Sequence, residues 1–195
     1  MGHPEIDNRT PFAFAPLFAT DEDGQPIVAT IVKATFDVSA QGLVTLAEEQ
    51  RAVDFVGEHH GEPGESSYRL EPDTAFVKPA TDCVLLGHAV ATVPTTQLSV
   101  TFRVGPVGKM ALVTGDRFFE HDGLGVRISA PSRFQMLPLV YERAFGGWDR
   151  TSADKAHHEG DPRNPVGVGF VAKHGTFVPG SPVPNVEDPG EPLGS

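Results

Sequence analysis

Cysteine, basic charge and long apolar runs are all scarce in these 195 residues. The single thiol, Cys83, excludes an internal disulfide, and its place in the apolar run Cys83 to Leu86 reads as a buried, inert side chain. Lys and Arg number 15 against 26 Asp and Glu, a net charge of −11. No Lys- or Arg-rich block interrupts this excess. That argues against a nucleic-acid partner, because phosphate binding needs clustered cations to displace counterions. Nowhere do about 20 consecutive apolar residues occur, the length a membrane-crossing helix requires. Phe12 to Phe18 is apolar but broken by Pro16, follows Glu5 and Asp7, and lacks a basic leader or small-residue cleavage pattern, so it does not read as a signal peptide. The expected setting is a reducing cytoplasm, without membrane insertion.

Recognised catalytic patterns are missing too. There is no G-x-S-x-G nucleophile elbow and no phosphate loop ending in G-K-[ST]. Gly167-Val168-Gly169 lacks the rest of a dinucleotide fingerprint. Two histidine pairs, in Glu58-His59-His60-Gly61-Glu62 and His157-His158-Glu159, lack helical i, i+4 spacing and have no CxxC to join them. They read as solvated loop residues, and no metal or cofactor is expected. Lys78, followed by Pro79, is predicted on extended chain near Glu71, Asp73 and Asp82, where carboxylates could pair with it.

What the chain does have is turns. Gly (21) and Pro (18) leave little room for uninterrupted helix, while 13 Phe and many Val and Thr favour strands. The expected fold is mainly β, an antiparallel β-sandwich or distorted barrel with long Gly/Pro-rich loops. One β-rich domain is expected over residues 1–175. Residues 176–195, rich in Pro and Gly, are expected to be an extended tail, unless they pack on something.

Period-two alternation places the strands. Val28, Val32, Ala34, Phe36 and Val38 share one face of a strand over Ile27 to Val38, predicted to enter the core. Gln41-Gly42 turns the chain, and Leu43 to Leu46 returns antiparallel. After an apolar strand from Val84 to Val93, Leu98, Val100, Phe102 and Val104 alternate with Gln97, Ser99, Thr101 and Arg103. Across a loop from Gly105 to Gly108 comes a return strand on which Met110 and Leu112 alternate with Lys109, Ala111 and Val113, closed by Gly115-Asp116-Arg117. A hairpin over Phe118 to Ser129 is expected to turn at Asp122-Gly123, with Val126 and Ile128 facing in. Pro138, inside the apolar run Phe134 to Tyr141, marks an edge strand or bulge. Thr151 to His158 could form two helical turns capped by Thr151 or Ser152.

The densest stretch is Tyr141 to Arg150, YERAFGGWDR, with an echo in Arg163 to Phe170, RNPVGVGF. Gly146 and Gly147 permit a sharp turn, and Tyr141, Phe145 and Trp148 can anchor it. Glu142, Arg143, Asp149, Arg150, Asp161 and Arg163 bring opposite charges together. Two readings stand side by side: a structural corner pinned by ion pairs, or a catalytic site.

PFAFAPLFATDEDGQPIVATIVKATFDV, EPDTAFVKPATDCVLLGHAVA, GDRFF, YERAFGGWDR, RNPVGVGF and PNVEDP, in this order over nearly the whole chain, resemble the bacterial family called domain of unknown function 2169. Members are found beside type VI secretion genes for VgrG, PAAR-type spike tips and toxic effectors. The resemblance implies a cytoplasmic adaptor or chaperone that helps load an effector onto the spike, with protein partners and no catalytic residues to carry over. It singles out as binding or structural residues Tyr141, Glu142, Arg143, Phe145, Gly146, Gly147, Trp148 and Asp149, then Arg163, Asn164 and Pro165, and finally Asn185, Glu187 and Asp188. Because members usually continue past the PN-x-EDP motif, it also implies that this chain is a fragment or a short member.

Two readings from other classes remain beside the adaptor. One is a hydrolase using Glu142, Asp149 or His157, which requires a concave pocket and a strongly shifted pKa. The other is a carbohydrate- or ligand-binding β-sandwich with Trp148 as a stacking platform.

Overall fold

The structure, a computed structural model, describes residues 5–74 and 79–192; Lys78 lies outside the described residues. It is mainly β, with 43% strand and 3% helix. Among the described residues the sheets have two or three strands each, and none closes into a barrel. The chain forms two compact units, one of residues 1–58 and 68–82 and one of residues 59–67 and 83–195.

In the first unit, β1 (Ala13–Thr20) and β2 (Pro26–Lys33) pair antiparallel over all eight residues, Ala13 opposite Lys33. The turn between them is tied by Asp21, whose carboxylate accepts from Asp23 and Gln25 N–H. The sequence hid β1, because Phe12 to Phe18 is apolar on both faces and broken by Pro16. The predicted strand from Ile27 to Val38 is two strands. It ends at Lys33, whose Nζ holds Asp73 at 2.5 Å, and resumes as β3 (Phe36–Val38).

β3 pairs with β4 (Val44–Leu46) around Gly42, which has φ 79°. The hairpin is as expected, but its apolar face is not core. Phe36, Val38, Val44 and Leu46 are all exposed, and among the described residues β3 and β4 form a sheet of two strands alone. Among the described residues of this unit, Ala47 is the one buried apolar side chain. β5 (Glu58–His59) and β6 (Tyr68–Leu70) stand where the chain leaves and re-enters this unit; Arg69 Nε donates to Glu58 at 2.8 Å.

The second unit is built on β8 (Gln97–Val104) and β9 (Val107–Thr114), preceded by β7 (His88–Thr95). The β8–β9 register puts Leu98 opposite Val113 and Val100 opposite Ala111. Opposed residues of an antiparallel pair share a face, so β9 turns Val113 and Ala111 inward, and Met110 is half exposed. The expected alternation is real, with the other face buried. Val113, Ala89 of β7 and Leu137 of β12 (Phe134–Pro138) form the core, packed by Leu98, Val100, Phe134 and Leu139.

Among the described residues β12 pairs only with β7, and the register slips between Phe134 and Met136, a bulge of the kind Pro138 signalled. Pairing starts at His88 opposite Pro138, so the run 83–87 lies outside the strand. Cys83 is therefore exposed rather than buried. β10 (Arg117–His121) pairs with β11 (Val126–Ile128), and the loop between them has four residues, with Asp122 accepting from Leu124 and Gly125 N–H. Phe119 is the inward side chain of this hairpin, while Val126 is half exposed, against expectation.

Among the described residues six two-residue strands complete the unit: β13 (Phe145–Gly146), β14 (Trp148–Asp149), β15 (Glu159–Gly160), β16 (Val168–Gly169), β17 (Pro182–Val183) and β18 (Val186–Glu187). The expected helix at Thr151 to His158 is a single 3-10 turn, Lys155–His157. Its cap is Asp154, which accepts from Ala156 N–H at 2.9 Å. Residues 176–195 were expected to stay extended unless they packed, and residues 182–187 do pack. β17 pairs with β10, β18 with β9, and Val183 and Pro184 are among the most buried side chains.

Candidate functional site

The two motif stretches meet in the second unit. Tyr141–Arg143 forms a 3-10 turn, after which β13 runs parallel to β16, and β14 pairs antiparallel with β15. Asn164 is the rivet between them. Its Nδ2 donates to Tyr141 O at 2.8 Å and Phe145 O at 3.0 Å, and its carbonyl accepts from Gly147 N–H at 2.8 Å. Gly146 (φ 146°) and Gly147 (φ 96°) hold backbone angles that side chains resist. They also lie against backbone: a Cβ at Gly146 would sit 2.1 Å from Asn164 O, and one at Gly147 2.3 Å from Gly167 O.

A second knot joins this corner to residues 185–187. Arg143 Nη1 donates to Asp116 Oδ1 and to Asn185 Oδ1, each at 2.9 Å. Asn185 Nδ2 donates to Thr114 O at 2.9 Å and Asp116 Oδ1 at 3.1 Å. Its backbone N–H donates to Arg143 O at 2.8 Å, and its carbonyl accepts from Thr114 N–H at 2.8 Å. One turn away, Arg117 Nη2 reaches Glu187 Oε2 at 2.6 Å and Pro184 O at 2.7 Å, in a pair whose side chains are 10% and 4% exposed.

The acidic residues are spent as acceptors. Glu142 does not pair with Arg143; it takes Ser67 N–H at 2.7 Å and the Ser67 hydroxyl at 2.9 Å. Burial pushes its pKa up, but the Ser67 N–H, its own N–H, the Ser67 hydroxyl and nearby His60 bring it below the usual value. Buried Asp149 accepts at Oδ1 from the Thr151 hydroxyl (2.6 Å) and N–H (2.8 Å), and at Oδ2 from Ala172 N–H (3.0 Å). The Thr151 hydroxyl and N–H lower its pKa against burial, helped by Ala172 and His158. Asp161 is held low first by the Arg163 side chain, with Nη2 to Oδ2 at 3.2 Å.

The aromatic residues are half exposed. Trp148 lies over Gly160, where a Cβ would come within 2.8 Å of the indole, and the Arg150 guanidinium covers its ring at 5.4 Å. Phe145 meets Phe170 edge-on at 6.4 Å between centroids. Tyr141 is 63% exposed, Pro165 is exposed, and the Asp188 carboxylate accepts from Gly190 N–H. Beside Trp148, Gly147 and Val168 lies a cleft of about 210 Å³, below the roughly 300 Å³ at which small-molecule sites begin.

Among the described residues, no three His, Cys, Asp or Glu gather as a metal-holding group. His59 Nδ1 lies 3.1 Å from Ser66 O, and His157 stacks on His174 at 5.3 Å. Chemically, the arrangement is suited to fixing loops: Glu142, Asp149 and Asp161 are held below their ordinary pKa values, whereas a general acid needs a raised one.

Thus Tyr141 to Asp149, Asn164 and Asn185 come together around shared hydrogen bonds, while Pro165 and Asp188 remain peripheral. Sequence reasoning missed Ser67, Thr114, Asp116, Arg117, Thr151 and Gly175. Gly175 leaves the space that Asp149 occupies, since a Cβ there would fall 1.5 Å from Oδ2. Its signal was faint, one more glycine in a turn-rich chain; Asp116 and Arg117 stood in the GDRFF motif without a visible partner. Residues 23–195 match the family described as "Uncharacterized protein conserved in bacteria (DUF2169)". No curated protein and no solved structure matches the chain.

Proposed function

The chain belongs to the bacterial DUF2169 family, and on that premise we propose that it is a non-catalytic cytoplasmic adaptor or chaperone that helps load a type VI secretion effector onto the VgrG/PAAR spike. The observation that carries this reading is the commitment of the motif's carboxylates. Glu142, Asp149 and Glu187 are each bound by fixed donors inside the protein, which supports a bracing role for the motif. Small sheets support the same reading. With two or three strands each, they leave outer edges to which a partner can add a strand.

Co-expression with the neighbouring spike and effector proteins, followed by affinity purification, tests the proposal. The wild-type chain should co-purify with at least one of them. Folded Glu142→Gln protein should do so equally, because its contacts are internal. Failure of every pair to associate would remove the adaptor reading.

A further inference from the structure

We infer that the open edge of β3 is a docking site for a partner strand in which apolar residues alternate with Lys or Arg. This deepens the adaptor reading and rests on it for the partner's identity, though not for its chemistry.

The β3–β4 hairpin has two unlike faces. Phe36 opposite Leu46 and Val38 opposite Val44 form one, and these four side chains remain 52%, 42%, 68% and 57% exposed. Asp37 opposite Thr45 forms the other, and Asp37 makes no ion pair among the described residues. Among those residues β3 pairs only with β4. A strand added along β3 would therefore extend the Phe36/Val38 face with its apolar residues and set its intervening residues beside Asp37.

The hairpin is held in shape for this. The Gln50 side chain accepts from Thr35 N–H at 2.9 Å and donates to Thr35 O at 3.1 Å and Ala47 O at 2.8 Å. At the turn, Ser39 N–H donates to Leu43 O and Leu43 N–H to the Ser39 hydroxyl. An ordered apolar face of this kind is characteristic of interaction sites.

Charge selects the occupant. The first unit's residues include thirteen Asp and Glu against five Lys and Arg, a net of −8, whereas the second has thirteen against ten, a net of −3. Most of those few cations are taken: Lys33 by Asp73, Arg69 by Glu58, Arg9 by Asp7. Glu48 and Glu49 follow the hairpin directly and are exposed. This field draws a basic strand and repels an acidic one, including a second copy of the same unit.

A ten-residue peptide alternating Val and Lys, and its counterpart alternating Val and Glu, provide the test, read by fluorescence anisotropy with the whole chain. The Val/Lys peptide should bind, weaken as NaCl rises from about 50 to about 300 mM, and lose at least ten-fold in affinity with Val38→Lys or Asp37→Lys. The Val/Glu peptide should not bind. Circular dichroism checks that each variant is folded; if Val38→Lys does not fold, Asp37→Lys decides alone. Equal binding of both peptides, or binding unaltered by Asp37→Lys, overturns the inference. So does a wild-type dimer in sedimentation that Asp37→Lys disrupts, since a second copy would then be the occupant. Co-purification separates the two ideas. An effector complex indifferent to Asp37→Lys sinks this site and leaves the adaptor standing, whereas peptide binding without any effector complex does the reverse.

Discussion

Arg117 and Glu187, 70 positions apart in the chain, meet at 2.6 Å with almost no access to water. Arg117 also ties down Pro184 O, so one guanidinium secures both ends of the segment carrying Asn185. Two-residue strands cannot hold themselves, and β17 and β18 stay in place through such side-chain ties.

Removing one partner of a buried pair leaves the other charge uncompensated. Glu187→Ala should therefore lower unfolding stability by about 3–5 kcal/mol, read by urea denaturation. An unchanged midpoint would show that the pair contributes nothing to the fold.

Gly147 and Gly105 both have positive φ, but only Gly147 faces a wall: a Cβ there would stand 2.3 Å from Gly167 O, whereas one at Gly105 would meet open space. Gly147→Ala should cost clearly more than about 1 kcal/mol, and more than Gly105→Ala, which bears only the backbone strain. Thermal melts of the two variants side by side give the comparison. Equal melting temperatures would mean the corner yields.

Lowered carboxylate pKa values set a direction for acid stability. The folded-state values of Asp149 and Glu142 lie below their reference values of 3.8 and 4.5. Unfolding therefore binds protons in that range, and the stabilisation is full above the reference values and is lost as pH falls through the folded ones. Urea midpoints from pH 7 to pH 3 should fall below about pH 4.5 in the wild type, with a shallower fall in Asp149→Asn and Glu142→Gln. Parallel curves would disprove the contribution.

Trp148, the only tryptophan, rests on Gly160, where no side chain fits beneath the ring. Gly160→Leu should lift the indole from its seat and increase its quenching by iodide. Unaltered quenching would mean the ring had little support from Gly160.

The long hairpin β8–β9 was legible because one polar and one apolar face alternate over eight residues, although Leu98 opposite Val113 shows that alternation alone did not say which face of β9 is buried. The motif residues were legible as a group, but their roles were not. Nothing local reveals that Asn164 caps the carbonyls of Tyr141 and Phe145, or that Glu142 turns to Ser67, 75 positions away. β17 and β18 were illegible for the same reason: they have no periodicity of their own and owe their burial to Thr114, Arg117 and Arg143. The hairpin β3–β4 misled in the opposite sense, since its alternation is that of a core strand while Phe36 and Val38 face solvent.

The span between Thr114 and Asn185 has a meaning in time. A ribosome adding roughly 5–20 residues per second delivers Asn185 about 4–14 s after Thr114. Within that interval β9 and then β10 are made without the strands that complete their sheets, and the Arg117 guanidinium has neither Pro184 O nor Glu187 to bind. The nascent protein thus passes through a stage in which its inner edges are open to water or to another chain, and the arrival of residues 182–187 ends it.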